Sequence, residues 1–155
     1  MNKNIFCYQT PIGKIFIAEK NNKITNLYFK KPENISDFLF FESKTLKYAG
    51  NQLNLYLNKK IKFFNLEFDP QVSVYAKKVL NQLKKIPYGT TISYLQLAEN
   101  ISKPTHTRAV ATVNSRNPIP IFIPCHRVIR KNGDIGGYSG GIKIKKYLLD
   151  LENEK

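Results

Sequence analysis

Ser93-Tyr94-Leu95-Gln96-Leu97-Ala98-Glu99-Asn100, then Ile101-Ser102-Lys103-Pro104, then Thr105-His106-Thr107-Arg108-Ala109-Val110-Ala111-Thr112-Val113-Asn114: this stretch decides how the second half of the chain folds. Ser93 followed three residues later by Gln96 has the form of a capping box, so a short helix is expected from there to about Asn100. Ser102-Lys103-Pro104 breaks it, and a second helix is expected from roughly Thr105 to Asn114. Two short helices joined by a tight turn, the second carrying Arg108 among small residues, predict a helix-turn-helix. Small side chains let a helix sit close to a groove wall while the arginine reaches in or past it. The same pattern also fits an ordinary helical hairpin with an exposed arginine.

Downstream, Asn117-Pro118 ends the second helix and leads into Ile119-Pro120-Ile121-Phe122-Ile123, an apolar segment that proline keeps out of a helix interior or a central strand. It delivers Pro124-Cys125-His126-Arg127-Val128, in which a thiol and an imidazole are adjacent. Gly133-Asp134-Ile135-Gly136-Gly137-Tyr138-Ser139-Gly140-Gly141 follows, a glycine-dense loop whose main chain can approach another group closely. A rigidly held thiol facing such a loop reads as a pocket. The thiolate is the nucleophile, so Cys125 needs a proton acceptor; His126 can serve through a bridging water, with a carboxylate orienting the ring. A last helix is expected from about Ile142 to Glu152, with Ile144, Tyr147, Leu148 and Leu151 inward and Lys143, Lys145 and Lys146 mostly outward. Its Glu152 is either a surface charge or folds back toward His126, and Asp134 and Asp150 are less specific alternatives. A metal pair lacks company, because the remaining Cys and His are Cys7 and His106, without zinc-like spacing. A cysteine hydrolase would have to draw its base from His106, and a buried structural cysteine is the plainest alternative.

Upstream, Pro70 marks a boundary, and two domains are expected, 1–68 and 69–155. The first reads as a meander of strands near Ile5–Thr10, Ile15–Glu19 and Ile24–Phe29, turning at Pro11-Ile12-Gly13 and Asn21-Asn22. A helix from about Glu33 to Leu57, which Gly50 would interrupt, and a strand over Lys60–Phe64 complete it. Cys7 is expected to be a buried hydrophobe. A helix from Val72 to Lys85 opens the second domain and stops at Ile86-Pro87-Tyr88-Gly89. The 155 residues can bury a real core, and no apolar run is long enough to span a bilayer. With no signal-peptide pattern after Met1 and no disulfide framework from two cysteines, a soluble intracellular protein is expected, cytoplasmic, or nuclear in a eukaryote. The net charge of +14, from 25 Lys and Arg against 11 Asp and Glu, suits a polyanion such as nucleic acid.

Taken together, Ile86-Pro87-Tyr88-Gly89, Ser93-Tyr94, Arg108-Ala109-Val110, Asn117-Pro118-Ile119-Pro120, Ile123-Pro124-Cys125-His126-Arg127-Val128-Ile129, Gly136-Gly137-Tyr138-Ser139-Gly140-Gly141 and Leu148-Leu149 closely resemble the O6-alkylguanine-DNA alkyltransferases. Thr10-Pro11-Ile12-Gly13 and Leu27-Tyr28-Phe29 resemble the family's N-terminal domain more weakly. The resemblance implies an α+β fold, a small ribonuclease H-like α/β domain before a mostly helical domain with the helix-turn-helix. It implies repair by irreversible, single-turnover alkyl transfer from O6-alkylguanine, with O4-alkylthymine a second candidate, from a base flipped out of the duplex. By similarity Cys125 accepts the alkyl group, His126 activates it through water, and Glu152 orients the imidazole. Tyr94 helps to turn the nucleotide and donates to the purine ring, while Arg108 fills the space that the base leaves. Asn117 ties the recognition helix to the cysteine segment, Pro120 and Tyr138 line the pocket, and the Cys125 and Val128 carbonyls accept from the guanine amino group. The Ser139 amide donates to the oxygen that loses its alkyl group. The partner implied is double-stranded DNA, bound from the minor groove by a monomer, with no cofactor, metal or membrane. Ala111 departs from the pattern, standing where a glycine is common, as do Thr112, Val113 and Ser115, and Leu80 where tryptophan is frequent. Two rival functions share the motifs: an alkyltransferase-like binding module, whose members lack the cysteine that this chain has, and a DNA-binding regulator that senses alkylation or redox state.

Overall fold

The computed structural model describes residues 3–153. Contacts within the chain divide it into two compact units, Met1–Gln71 and Val72–Lys155.

In the first unit β1 (Lys3–Thr10), β2 (Gly13–Lys20) and β3 (Lys23–Tyr28) form the expected antiparallel meander. Asn21 and Asn22 both take positive φ, 54° and 66°, which is what a two-residue turn between twisted strands requires. A fourth strand, β4 (Phe38–Phe40), adds in parallel beside β1 to give the order β3-β2-β1-β4. The helix α1 (Lys44–Leu57) buries Leu46, Leu53 and Tyr56, and the sheet buries Ile5, Ile15, Ile17 and Ile24. Cys7 is half-buried in β1, not wholly so.

Three expectations for this unit are corrected. The helix does not begin at Glu33: Phe38, Leu39, Phe40 and Phe41 are consecutive, which is strand-like rather than helical spacing, and Ser43 caps α1 by accepting from the Leu46 amide. No strand covers 60–64, because α1 ends in a Schellman motif: Lys59 takes φ 62° while the amides of Lys60 and Lys59 bond the carbonyls of Leu55 and Tyr56. Lysine at a position that usually selects glycine hides that reversal from the sequence. The β3 edge is met instead by a bridge between Ile24 and Phe68. Gly50, finally, does not interrupt α1. It is buried against the Tyr8 ring, and a Cβ there would sit 2.5 Å from Cε1. Gly50→Ala therefore sets two effects against each other, a helix-propensity gain of about 1 kcal/mol and an overpacking cost of about 1–3 kcal/mol. The Tyr8 hydroxyl is tethered to Glu42 at 2.9 Å, so the ring cannot swing aside cheaply. A net loss of stability in urea melts is expected.

The second unit is mostly helical. Ser73 caps α2 (Val74–Leu83), whose Val79, Leu80 and Leu83 are buried. The capping box is present: the Ser93 hydroxyl accepts from the Gln96 amide at 3.1 Å, and the Gln96 side chain accepts from the Ser93 amide at 2.8 Å. It opens α3 (Tyr94–Asn100), and after a short 3-10 turn α4 (Thr107–Ser115) packs against α3, with its Val110 buried. Two-residue strands β5 (Ile92–Ser93) and β6 (Val128–Ile129) pair in parallel. The last helix is α5 (Ile142–Asn153). The observed architecture is thus α+β, a mixed sheet with one helix followed by a helical unit.

Candidate active site

Asn117 organises the segment that carries the cysteine. Its amide nitrogen donates to the Ile123 carbonyl and its oxygen accepts from the Ile119 amide, both at 2.9 Å and both buried. Between these anchors the Phe122 amide bonds the Pro120 carbonyl around Ile121, whose φ is 72°. This is the γ-turn of positive φ, strained for a β-branched residue by about 1–3 kcal/mol. A second tight turn, the Cys125 amide to the Ile123 carbonyl, closes around Pro124 at φ −79° and ψ 64°, the relaxed form. Burial of Ile119, Ile121 and Ile123 and the Asn117 clip hold the strained turn in place. Asn114 of α4 donates to the Cys125 carbonyl at 3.3 Å, so the second helix of the pair is bonded directly to Cys125.

Cys125, His126 and Arg127 form one turn of 3-10 helix, all three buried. The His126 Nε2 lies 2.8 Å from Glu152 Oε2. Arg127 grips the same carboxylate twice, Nε to Oε1 at 2.8 Å and Nη2 to Oε2 at 2.9 Å, and donates through Nη1 to the Ile86 carbonyl at 2.7 Å. The Ile86-Pro87-Tyr88-Gly89 stretch surrounds this pair: the Tyr88 ring lies 5.7 Å from the guanidinium, and the Gly89 amide donates to Oε1 at 3.2 Å. Gly89 has φ 77°, and a Cβ there would come within 3.1 Å of the Glu152 carbonyl.

Burial would raise the Glu152 carboxyl, but the hydrogen bonds and charge of His126 and Arg127 prevail and hold it well below the usual carboxylate range. Burial moves His126 the other way, below its ordinary value, against the pull of Glu152. The ring is therefore neutral near pH 7. An ionised carboxylate only accepts, so the imidazole proton sits on Nε2 and Nδ1 is the ring's proton acceptor. Asp150 pairs with Lys146 at 3.1 Å on the surface and Asp134 bonds Asn132, so neither carboxylate is the one beside His126.

The Cys125 side chain is 2% exposed, and burial pushes its thiol up to about 11. Asn117, the charge of Lys145 and the Tyr138 hydroxyl all act to lower it. Pairing of Ile92 with Val128 and of Ser93 with Ile129 brings the start of α3 alongside, placing Tyr94 half-buried within electrostatic reach of the thiol. Pro120 and Val128 are buried here and Tyr138 is half-buried, whereas Ser139 and Arg108 are exposed. Arg108 lies in the first turn of α4.

Three residues that sequence reasoning does not single out carry much of this arrangement: Arg127, Asn114 and Lys145. The expectation that Lys145 points outward is wrong. Its side chain is wholly buried, and Nζ donates to the carbonyls of Val128 at 2.7 Å and Gly137 at 3.3 Å. Lys145 shares the stripe of Leu148 and Glu152, three and seven residues on, so helical spacing carries a signal that residue type masks. Tyr147, expected inward, is instead 39% exposed.

Comparison with known proteins gives this geometry its context. Residues 74–154 match the family described as 6-O-methylguanine DNA methyltransferase, DNA binding domain. The chain is 38% identical over 148 residues to the methylated-DNA–protein-cysteine methyltransferase of Methanosarcina acetivorans, covering 94% of this chain and 95% of that one. It is 36% identical to the constitutive enzyme of Bacillus subtilis, covering 93% of this chain and 92% of the other. Among solved structures, the Mycobacterium tuberculosis OGT in complex with DNA superposes with a TM-score of 0.90 at 35% identity, over 97% of this chain and 92% of that one. A match across just over half the chain to the family's DNA-binding domain, and relatives aligned nearly end to end, lead to one conclusion: the chain belongs to the methylated-DNA–protein-cysteine methyltransferase family.

Proposed function

We propose that this chain repairs DNA by moving a methyl or larger alkyl group from O6 of guanine onto Sγ of its own Cys125, each molecule acting once. The observation that carries the reading is the buried thiol next to a neutral imidazole backed by Glu152, at the end of a segment bonded to the second helix of the helix-turn-helix. That helix pair enters the minor groove of a duplex, and a monomer suffices. The excess of Lys and Arg supplies phosphate contacts, so affinity falls as salt rises. Among the described residues no helix is long and apolar enough to cross a membrane.

The alkylated guanine swings out of the stack, and Arg108, exposed in the first turn of α4, occupies the gap. A bridging water carries the thiol proton to His126 Nδ1. Sulfur then attacks the alkyl carbon as the C–O6 bond breaks, and the electron pair stays with the purine. Tyr94 donates a proton to the leaving purine at N3, and the proton stored on His126 restores the balance. Burial first, and the negative charge of the Cys125 thiolate second, raise the Tyr94 hydroxyl above its ordinary value, so it remains a hydrogen-bond donor until the purine turns basic. The amino group of guanine is met by the carbonyls of Cys125 and Val128, the Ser139 amide meets O6, and Pro120 and Tyr138 wall the base. Asn117 keeps the sulfur in line through the turns that it clips.

Incubation with a duplex containing O6-methylguanine, followed by peptide mass spectrometry, tests the proposal. One methyl mass on the peptide carrying Cys125, in a one-to-one ratio with lesions removed, is the expected result. A methyl on another residue, or removal that continues beyond one lesion per molecule, would overturn it.

A further inference from the structure

Transfer from guanine to Cys125, in the steps above, leaves idle the one cation buried at the site without a carboxylate. Arg127 is neutralised by Glu152, whereas Lys145, 0% exposed, pairs with no carboxylate among the described residues. Its Nζ donates to two neutral carbonyls, those of Val128 and Gly137. A buried ammonium without an anion is costly, and carbonyl dipoles compensate it only in part. Gly136 shows how tightly the surroundings close: with φ 76°, a Cβ there would meet Tyr94 Oη at 3.2 Å and Lys145 Nζ at 3.6 Å. The ammonium of α5 and the hydroxyl of α3 thus converge on the glycine loop, and both lie within electrostatic reach of the thiol.

We infer that Lys145 is a positioning residue with two tasks: its ammonium is the counter-charge that appears opposite the Cys125 thiolate during transfer, and its hydrogen bonds fix the Val128 carbonyl and the glycine loop that wall the base pocket. This rests on the proposed transfer to Cys125 and adds to it a residue outside the Cys125–His126–Glu152 set. Before ionisation the site holds a positive charge and a neutral thiol, and ionisation makes the pair neutral. The ammonium therefore stabilises the nucleophile's charged form without ever touching the substrate.

The titratable and charged groups facing this ammonium come from four elements. Cys125 and His126 lie on the 3-10 turn, Arg130 follows β6, Tyr94 stands on α3, and Tyr138 of the loop acts on the thiol. Burial lowers Lys145 to about 8, with Cys125 opposing and Arg130 adding to the shift. The consequence has a distinctive sign. With the thiol proton passed to His126 and kept in the site, the thiol itself gives transfer no alkaline fall below a pH of about 11. Loss of the counter-charge makes it slower above a pH of about 8.

Single-turnover transfer from a methylated duplex is to be measured from about pH 6 to 10 for wild type, Lys145→Met and Lys145→Arg. Wild type is expected to slow above pH 8. Lys145→Met should be slower by on the order of 10²-fold at neutral pH, Lys145→Arg should recover rate, and both should lack the alkaline fall. Ultraviolet thiolate absorbance, taken as a difference from Cys125→Ala, reads the thiol without any DNA, and the titration should lie at lower pH in Lys145→Arg, which keeps its charge throughout, than in Lys145→Met. If wild type transfers nothing, the proposed function fails while the absorbance difference still decides the role of Lys145. If Lys145→Met does not fold, the wild-type and Lys145→Arg profiles decide it. A wild-type rate that climbs without a break to pH 10, or a thiol titration that is the same in Lys145→Arg and Lys145→Met, would overturn the inference.

Discussion

Cys125→Ala reduces alkyl transfer to background while duplex affinity and fold stay close to wild type. The expected loss is total because the proposed chemistry has one nucleophile, and alanine offers no lone pair to form the new bond. The fold should survive. Cys125 lies in a turn held by main-chain bonds and by Asn117 and Asn114, none of which uses the sulfur, so deleting one buried atom costs about 1 kcal/mol. Cys7 is no substitute, being half-buried in β1 of a unit that contains no histidine to take its proton. Binding should persist because α3 keeps its capping box and α4 its packing against α3. Transfer of labelled methyl, read beside a gel-shift titration at one salt concentration, separates the two functions. Wild-type transfer by the variant would remove Cys125 from the mechanism, and equal loss of transfer and binding would mean that the sulfur is structural.

Much of this site is legible from residues whose type announces their surroundings. Ser93 and Gln96 specify a helix start through local chemistry alone, and that start is what lays Tyr94 beside β6. Prolines at 120 and 124 announce an irregular backbone, though not that its centre would be Ile121 at positive φ, since nothing in an isoleucine signals a left-handed turn. Lys59 gives no warning of its turn for the same reason. Charged residues mislead in the opposite direction. Polarity points Lys145 toward solvent and gives no hint of what Arg127 does, yet each is buried because a specific acceptor waits for it: carbonyls for the lysine, the Glu152 carboxylate for the arginine. Helical periodicity places Lys145 on the inner stripe, but its burial depends on partners contributed by β6 and the glycine loop, which no local pattern contains. The run Phe38 to Phe41 misleads for a third reason. Four apolar residues in succession lack helical spacing, but the strand they form is fixed only by pairing with β1, far off in sequence.

Arg127→Met should destabilise the second unit by about 3–5 kcal/mol, the cost of stranding a buried carboxylate whose cationic partner is gone. Methionine fills comparable space, so little of that loss is cavity. The pH dependence of the loss identifies its origin. In wild type His126 titrates below its ordinary value, so protonation is resisted by the fold and stability increases as pH rises through about 6.5. Removing the guanidinium deletes a charge that lowers His126 and leaves Glu152 facing the ring alone. The folded-state value of His126 then rises toward the unfolded one, so protonation is resisted less and the gain in stability with rising pH shrinks. The slope of stability against pH should therefore be shallower in the variant, which urea melts near pH 5.5 and 8 can detect. Arg127→Met combined with Glu152→Gln, which removes the stranded charge, should recover part of the loss and steepen the slope again. Equal destabilisation at both pH values, with no recovery in the double variant, would assign the effect to packing. Transfer supplies a second reading of the same electrostatics: an imidazole already protonated cannot take the thiol proton, so the variant should lose activity on the acid side at a pH where wild type still reacts.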